Sequence, residues 1–328
     1  MKKYKWGILG CGQIAQKYAG ALQRLEQAEI FAVASSDSSR AIDFGKRFGA
    51  HKSFGSYTEM LSDPEVEIVY VATPHSHHFF HSKMCLEAGK AVICEKPFTI
   101  DAGELRELIA LAKEKDLFLM EALWTRFLPH IIKAKELVDQ GAIGDLKMVS
   151  ADFGFKADFI PERRLFNPDL GGGALLDIGI YPVFLAYLFL GYPEKVRALS
   201  TFGPTGVDEQ TAMTLVHQGN TISELSCTLL SRTRQEATLY GTTGNIRMAR
   251  RWYGPSEIEL FRDDSSEIKL DYRYDDNGFE YEALEVMRCL DAGLKESPVW
   301  SPGNSLDLMR MLDEIRFSSG ITYNNRIR

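Results

Sequence analysis

The feature that most constrains the fold lies near the start of the chain, where small residues are spaced G-x-G-x-x-A. A strand pattern over residues 3–9 runs directly into Gly10, Gly12 and Ala15, and apolar residues at helical spacing follow over residues 16–25. In this setting Gly10 permits a tight turn, Gly12 lets the backbone approach a pyrophosphate, and Ala15 lets the helix pack on the strand. Free N–H groups at the helix start favour phosphate. The residues that we predict to hold a dinucleotide here are Gly10, Gly12, Gln13, Ile14 and Ala15.

The stretch after the second predicted strand, residues 29–34, bears on the choice between NAD and NADP. NAD sites usually place an acidic residue there for the ribose 2'-OH, whereas NADP sites need neutral or basic groups for the 2'-phosphate. Asp37 could be that acid, but it lies beyond the predicted strand end. The residues that could serve a phosphate are Ser35, Ser36 and Arg40. We therefore predict NADP as the cofactor, with NAD as the alternative.

A charged pair ends the fifth predicted strand, an apolar run over residues 91–94. Open α/β sheets bind their ligands outside the carboxyl ends of their strands, so Glu95 and Lys96, followed by the stiff Pro97, are well placed for chemistry. The alternative is that Lys96 is an ordinary solvated lysine at a corner between strand and loop. The other motifs of the chain favour a catalytic role.

Several histidines follow the fourth predicted strand, residues 66–72, and suggest a metal site. His77 and His81 could share one face of a helix. However, no carboxylate or thiolate close by in the sequence completes a ligand shell. We therefore predict that hydrogen bonds hold this turn and that no metal binds there.

The order of the predicted elements indicates two domains. Six strands alternate with helices over residues 1–122, which predicts an α/β Rossmann domain with a parallel sheet. From residue 144 onward strands recur without helices between them and pair through short turns. For residues 123–328 we predict an α+β domain with a large, open, mainly antiparallel sheet. The uncovered face of such a sheet needs a partner, so we predict a homodimer through it.

Composition narrows the functional class. The 328 residues carry a net charge of −7 without a basic block, which makes nucleic acid and anionic membranes poor partners. Five cysteines without C-x-x-C spacing argue against a disulfide framework and a zinc cage, and we expect a cytoplasmic protein. The apolar run over residues 178–190 is shorter than the roughly 20 residues that span a bilayer, so it predicts a buried helix.

A second group of candidate residues follows three glycines at positions 171–173, which allow close backbone approach and start a helix. Asp177 and Tyr181 lie four residues apart on that helix and therefore share one face. From their spacing alone, they are more simply explained as polar groups with satisfied hydrogen bonds where the two domains meet. The alternative is a catalytic carboxylate and phenol. Pro182 should disturb the helix, because it lacks the N–H that would bond the residue 178 carbonyl.

Four short motifs occur in an order that one known family shares. They are the glycine turn, Thr73-Pro74 with His78 four residues after the proline, Ala88-Gly89-Lys90 and Glu95-Lys96-Pro97. With these motifs the whole chain resembles the Gfo/Idh/MocA oxidoreductases. Residues 118–127 are further similar to its dimeric dihydrodiol dehydrogenase branch, which also includes NADP-dependent xylose dehydrogenases.

This resemblance implies an NAD(P)-dependent oxidoreductase that takes hydride from a hydroxyl of an aldose or a trans-dihydrodiol. It implies that Lys96 faces the nicotinamide and that the peptide before Pro97 is often cis. Tyr181 stands where the family pattern D-x-G-x-H has histidine, and His75 stands where many members have asparagine. The cofactor-binding residues that it adds are Thr73, Pro74, His75, His78, Glu95, Lys96, Trp124 and Arg126. The aromatic residues predicted to bind substrate are Phe155, Trp252 and Phe279.

Two functions remain open at this point. In the first, Tyr181 takes the hydroxyl proton as general base, Lys96 favours its phenolate and binds the substrate oxygen, and Asp177 orients either the substrate or Lys96. A free phenol titrates at about 10, so such help is needed at neutral pH. In the second, the same fold is a non-catalytic NAD(P)-binding regulator. The presence of all three residues favours the enzyme.

Overall fold

A computed structural model describes residues 2–264, 266–274 and 277–323. The chain divides into two compact units. The first comprises Met1–Trp124 and Asp276–Leu306, and the second comprises Thr125–Asp275 and Asp307–Arg328. Each unit has its own sheet and its own buried core.

The first unit alternates strands and helices along most of its length. Its elements are β1 (Tyr4–Leu9), α1 (Gln13–Leu22), β2 (Ala28–Ala34), α2 (Ser38–Phe48), β3 (Lys52–Phe54), α3 (Tyr57–Leu61), β4 (Ile68–Val71), α4 (His78–Glu87), β5 (Ala91–Glu95), α5 (Ala102–Glu114), β6 (Leu119–Ala122) and α8 (Phe279–Asp291). The six strands are parallel and ordered β3-β2-β1-β4-β5-β6. This is the strand order of a doubly wound Rossmann sheet, and it confirms the predicted α/β class.

The central strands are apolar because helices cover both faces of the sheet. Every residue of β4 and of β5 is buried, including Glu95 at the carboxyl end of β5. Continuous apolar runs of this kind are typical of parallel strands that never reach solvent. The strand reversal lies between β1 and β4, so a ligand is expected at the carboxyl ends of these two strands.

Residues 276–306 return to the first unit, although the sequence placed them in the second domain. Phe279 stacks on Trp124 with ring centroids 4.7 Å apart. Glu121 on β6 accepts hydrogen bonds from the Trp300 indole at 3.2 Å and from the Ser305 hydroxyl at 2.6 Å. These contacts join residues that lie 155–184 positions apart, so no local pattern in the sequence indicates them.

The second unit contains a sheet with helices on its inner face. Its elements are α6 (Pro129–Asp139), β7 (Leu146–Gly154), α7 (Ile180–Leu190), β8 (Lys195–Phe202), β9 (Asp208–His217), β10 (Thr221–Thr228), β11 (Ala237–Gly241), β12 (Gly244–Met248), β13 (Glu257–Arg262) and β14 (Glu267–Asp271). The strand order is β14-β13-β12-β11-β7-β10-β9-β8, and only the β7–β10 pair is parallel among these strands. The predicted open, mainly antiparallel sheet is confirmed. A last helix, α9 (Pro302–Ser319), gives its first residues to the first unit and the rest to the second.

Two strands of this sheet, β13 and β14, were not predicted. Their sequences are rich in charged residues, which are depleted in strands. Here opposite charges face each other across strands: Lys269 lies 2.5 Å from Glu257 and 3.4 Å from Glu259. Such cross-strand pairs favour the sheet, but a propensity scale cannot register them.

The helical segment Pro168–Leu190 is long and apolar enough to cross a membrane, but 78% of its most apolar 18-residue stretch is buried inside the protein. The part predicted as a buried helix, residues 178–190, lies within it. Alternate residues of β10, among them Leu225 and Cys227, are buried on the inner face of the sheet. The segment is therefore the core helix of the second unit.

Candidate functional site

The turn after β1 has the geometry that a pyrophosphate requires. Gly10 has φ +98°, and a Cβ there would stand 2.8 Å from the Ala72 carbonyl, so glycine is needed for both reasons. Gly12 is the N-cap of α1 and carries no capping side chain. A Cβ at Gly12 would meet no atom of the described residues within 4 Å, which leaves space for a ligand at the helix start. The N–H groups of the first turn, at Gln13, Ile14 and Ala15, fit the phosphates of a dinucleotide.

The loop after β2 shows how Asp37 is used. Its carboxylate caps α2 by accepting the Ser39 and Arg40 N–H groups at 2.9 and 3.1 Å and the Ser39 hydroxyl at 2.6 Å. These hydrogen bonds, led by that of the hydroxyl, lower the pKa of Asp37. Ser36 is exposed, Ser35 is buried with its Oγ accepting the Asp37 N–H, and the Arg40 guanidinium lies 3.7 Å from Asp37. The Asp37 carboxylate thus serves as the N-cap of α2, and Ser36 and Arg40 are exposed beside it.

The histidine-rich turn is held by hydrogen bonds. His78 is completely buried, and its two ring nitrogens lie 2.7 Å from the Pro97 carbonyl and 2.8 Å from the Thr73 carbonyl. Burial lowers the pKa of His81 to about 4, and its Nδ1 lies 3.0 Å from the Thr73 hydroxyl. No metal-binding group of histidine, cysteine or carboxylate side chains occurs among the described residues. His78 therefore links the ends of β4 and β5, and its ring does not reach solvent.

Lys96 stands directly after β5 and is half-buried. Glu95 accepts the Lys96 N–H at 3.2 Å and the Tyr70 hydroxyl, and the Lys96–Pro97 peptide is cis, as the resemblance implies. Thr73, Pro74 and His75 follow the carboxyl end of β4, the neighbouring strand. Except for Trp124, which follows β6, the predicted cofactor residues of the first unit thus lie at the carboxyl ends of β1, β2, β4 and β5, which are four adjacent strands.

A buried acid near this edge was not predicted. Glu282 on α8 is completely buried, and neither carboxyl oxygen has a hydrogen-bond partner among the described residues. Burial raises the pKa of Glu282 well above its ordinary value of 4.5, and the negative charges of Glu95 and Glu121 raise it further. Burial and the two negative charges thus both favour the protonated form of Glu282.

Glu282→Gln should make stability less dependent on pH. A folded-state pKa above the unfolded value means that the native state holds a proton that the unfolded state releases, so wild-type stability falls as pH rises above 4.5. As pH rises, the difference in unfolding free energy between the variant and the wild type should therefore change in favour of the variant, by up to about 1.4 kcal/mol per pH unit. Thermal unfolding between pH 5 and 9 measures this, with Glu107→Gln on the exposed side of α5 as control. A difference between variant and wild type that stays constant with pH contradicts the assignment.

In the second unit, Asp177 and Tyr181 lie on one helical run and are both buried. The run begins in π-helical geometry over Leu175–Gly179 and becomes α-helical at Ile180, so the expected irregularity lies just before Pro182. Arg164 forms a two-point ion pair with Asp177, at 2.6 and 3.4 Å. Arg164 was missed, because an arginine in a loop thirteen residues earlier has no recognisable spacing.

Aromatic rings surround Tyr181. Its ring centroid lies 5.5 Å from that of Phe153 and 5.6 Å from that of Tyr253, and these two rings stack at 3.7 Å. Tyr253 was also missed, although it adjoins Trp252 in the sequence. Burial raises the pKa of Tyr253, so it is a neutral phenol at neutral pH.

The predicted substrate aromatics differ in their surroundings. Trp252 is completely buried, with its indole N–H donating to the Asp152 carbonyl at 3.0 Å, so its ring offers no surface to a ligand. Phe155 is half-buried in the second unit, as is Arg126. Phe279 belongs to the first unit, where it packs on Trp124.

Two family models match this chain. A model described as an oxidoreductase family with an NAD-binding Rossmann fold matches residues 4–123. A GFO/IDH/MocA C-terminal domain matches residues 131–247. The matched ranges fall in the Rossmann unit and in the unit with the open sheet, respectively.

Several known proteins are similar over nearly the whole chain. The mouse and human trans-1,2-dihydrobenzene-1,2-diol dehydrogenases are 38% and 37% identical over 329 residues, covering 97% of this chain and 98% of theirs. A 3-ketoreductase from Actinomadura kijaniata, solved with NADP and TDP-benzene, is 27% identical with a TM-score of 0.88 and the same coverage. An aldose-aldose oxidoreductase from Caulobacter crescentus shares the fold at 24% identity and a TM-score of 0.89, with 97% and 98% coverage.

Proposed function

Since this chain belongs to the Gfo/Idh/MocA family of oxidoreductases, we propose that it oxidises a ring diol or a sugar and prefers NADP. It is an NAD(P)-dependent dehydrogenase that acts on hydroxyl groups. The observation that carries the substrate class is the cluster of aromatic rings around Tyr181, in which Phe153 is buried and Tyr253 is half-buried. A site bordered by aromatic rings favours a ring over an extended chain. The named diol dehydrogenases and the sugar-related oxidoreductases support the same class.

We propose the following division of roles. When bound, the nicotinamide accepts the hydride, which leaves the carbinol carbon with its electron pair. Tyr181 accepts the hydroxyl proton, so that the alcohol becomes a carbonyl and one proton is later released. Lys96 hydrogen-bonds the substrate oxygen, and Asp177, held by Arg164, orients the substrate. Solved forms of the similar 3-ketoreductase include variants of a lysine and of a tyrosine, the residue types assigned here.

The remaining predicted residues have supporting roles in this proposal. The glycine turn, Thr73, Pro74 and Glu95 surround the cofactor, and His78 fixes the Pro97 carbonyl beside Lys96. Trp124, Arg126, His75 and the substrate aromatics Phe155 and Phe279 remain proposed contacts. We do not extend this role to Trp252, because its ring is enclosed by the protein.

The NADP preference is supported by the loop after β2. Arg40→Ala should raise the Michaelis constant for NADP at least about tenfold more than that for NAD, because only NADP carries the 2'-phosphate that an arginine binds. Steady-state kinetics with both cofactors measures the ratio. Arg47→Ala, at the other end of α2, is the matched control. Equal changes for both cofactors in Arg40→Ala contradict the preference.

The central experiment is a substrate screen with the wild-type protein. Aldoses and trans-dihydrodiols are each offered with NADP and with NAD, and absorbance is followed at the reduced-nicotinamide band. Steady growth with at least one member of either class supports the proposal. Cofactor binding without any turnover across both classes would instead support the regulator.

We also propose a homodimer through the open face of the second unit's sheet. Large apolar side chains are exposed there, among them Leu199 on β8 at 80% and Tyr240 on β11 at 41%. Leu199→Glu should turn a dimer into a monomer, because a carboxylate buried at an interface loses its hydration. Sedimentation velocity measures the mass, with Ile42→Glu on α2 as control. A wild-type monomer at micromolar concentration would remove the proposal.

We further propose a cytoplasmic location, which the five unpaired, buried cysteines fit.

A further inference from the structure

Asp208 is a carboxylate that the mechanism does not yet use. It is the first residue of β9 and is 0% exposed. Its Oδ2 accepts the Leu175 N–H at 2.7 Å and the Thr211 hydroxyl at 3.4 Å. Leu175 is the first residue of the helical run that carries Asp177 and Tyr181. Asp208 therefore ties a strand of the sheet to the start of this run.

The glycine before the run is shaped around the same carboxylate. Gly173 has φ +120°, a conformation that residues with a side chain rarely adopt. A Cβ on Gly173 would stand 2.1 Å from the Asp208 Oδ1. This oxygen has no hydrogen-bond partner among the described residues. The loop and the carboxylate thus fix each other's position.

We propose that Asp208 is a positioning residue for hydroxyl oxidation, because its carboxylate anchors the helix start and thereby sets where Asp177 and Tyr181 lie. This inference rests on the proposed function, in which those two residues contact the substrate. An anion at this place stabilises the helix in two ways. It accepts a hydrogen bond from an N–H group that has no partner within the helix, and its negative charge is attracted to the positive end of the helix dipole.

The protonation of Asp208 makes the anchor sensitive to pH. Burial raises the pKa of Asp208 to about 7, while the N–H groups of Leu175 and Ala174 and the Thr211 hydroxyl favour the ionised form. Among the described residues, the ionisable groups that interact with Asp208 are the Cys227 thiol on β10 and the Tyr323 hydroxyl, both neutral because burial raises their pKa. Asp177 acts in turn on Cys227, and Arg316 and Asp313 on α9 act on Tyr323.

Stability and anchoring respond to pH in opposite directions. Because the folded-state pKa of Asp208 lies above its ordinary value of 3.8, the native state loses stability from this group as pH rises from about 4 to 7. The anchor strengthens over the same range, since only the carboxylate accepts strongly from the Leu175 N–H.

The experiment compares kcat between pH 5.5 and 9 in the wild type, Asp208→Asn and Thr211→Val, with NADP and the best substrate of the screen. We expect a wild-type acid limb with its midpoint near pH 7. Asp208→Asn should lose this limb and retain about one tenth of the wild-type kcat at pH 8, without loss of thermal stability at that pH. Thr211→Val should move the limb to higher pH, because one donor to the carboxylate is gone. Asp152→Asn, which removes a carboxylate bound to two N–H groups of the same unit, should keep the limb.

The inference is overturned if Asp208→Asn keeps the wild-type pH profile or if its kcat and stability at pH 8 fall together. A wild type that oxidises nothing would instead refute the proposed function. The anchor is then judged by amide hydrogen exchange of residues 172–181 at pH 8. Faster exchange in Asp208→Asn than in the wild type supports it, and equal exchange overturns it.

Discussion

Lys96→Met is expected to lower turnover on the best hydroxyl substrate by about a hundredfold or more, while NADP binding survives. Methionine keeps the length of the side chain but cannot hydrogen-bond or stabilise a developing alkoxide. The backbone should stay in place, because Glu95 accepts the residue 96 N–H and His78 holds the Pro97 carbonyl. Initial rates of absorbance change give turnover, and quenching of tryptophan fluorescence gives cofactor affinity.

The control for this variant is Lys115→Met, which removes an exposed lysine at the end of α5. It should behave as the wild type. Wild-type turnover in Lys96→Met would show that this lysine is an ordinary charge at a strand end. Lost cofactor binding without a change in kcat would show that it serves the nucleotide alone.

Tyr181→Phe is expected to cost about a hundredfold or more in kcat, because it removes the phenol oxygen to which we assign the substrate proton. The phenylalanine ring retains the packing against Phe153 and Tyr253, so the thermal midpoint should hardly change. Stopped-flow and steady-state rates with the screened substrate measure the loss. Tyr187→Phe, on the same helix with its hydroxyl bonded to Asp307, should keep its activity. Unchanged kcat in Tyr181→Phe would require another base.

Much of the first unit could be predicted from its sequence, because its signals are local. Buried parallel strands are continuous apolar runs, and the glycine turn is a short pattern with a known backbone requirement. The cap of α5 is also local in the sequence, since the Asp101 carboxylate accepts the Glu104 N–H at 2.9 Å. The residues at the ends of β1, β2, β4 and β5 could be named for the same reason.

The features that escaped prediction depend on contacts between distant residues. Arg164 pairs with Asp177, and Asp208 accepts the Leu175 N–H although the two residues are 33 positions apart. The charges of the buried acids on β5 and β6 act on Glu282. No spacing rule connects such residues. Trp252 shows the converse error, because a tryptophan that looks suited to a pocket can equally fill a core.

The return of residues 276–306 to the first unit affects how the protein can be made and divided. During synthesis, the Rossmann half cannot be completed until about nine tenths of the chain has left the ribosome. A gene fragment that stops near residue 124 would leave Glu121 without Trp300 and Ser305, and Trp124 without Phe279. The nucleotide-binding unit therefore cannot be transferred to another protein as residues 1–124 alone. A fusion or chimaera also needs residues 276–306.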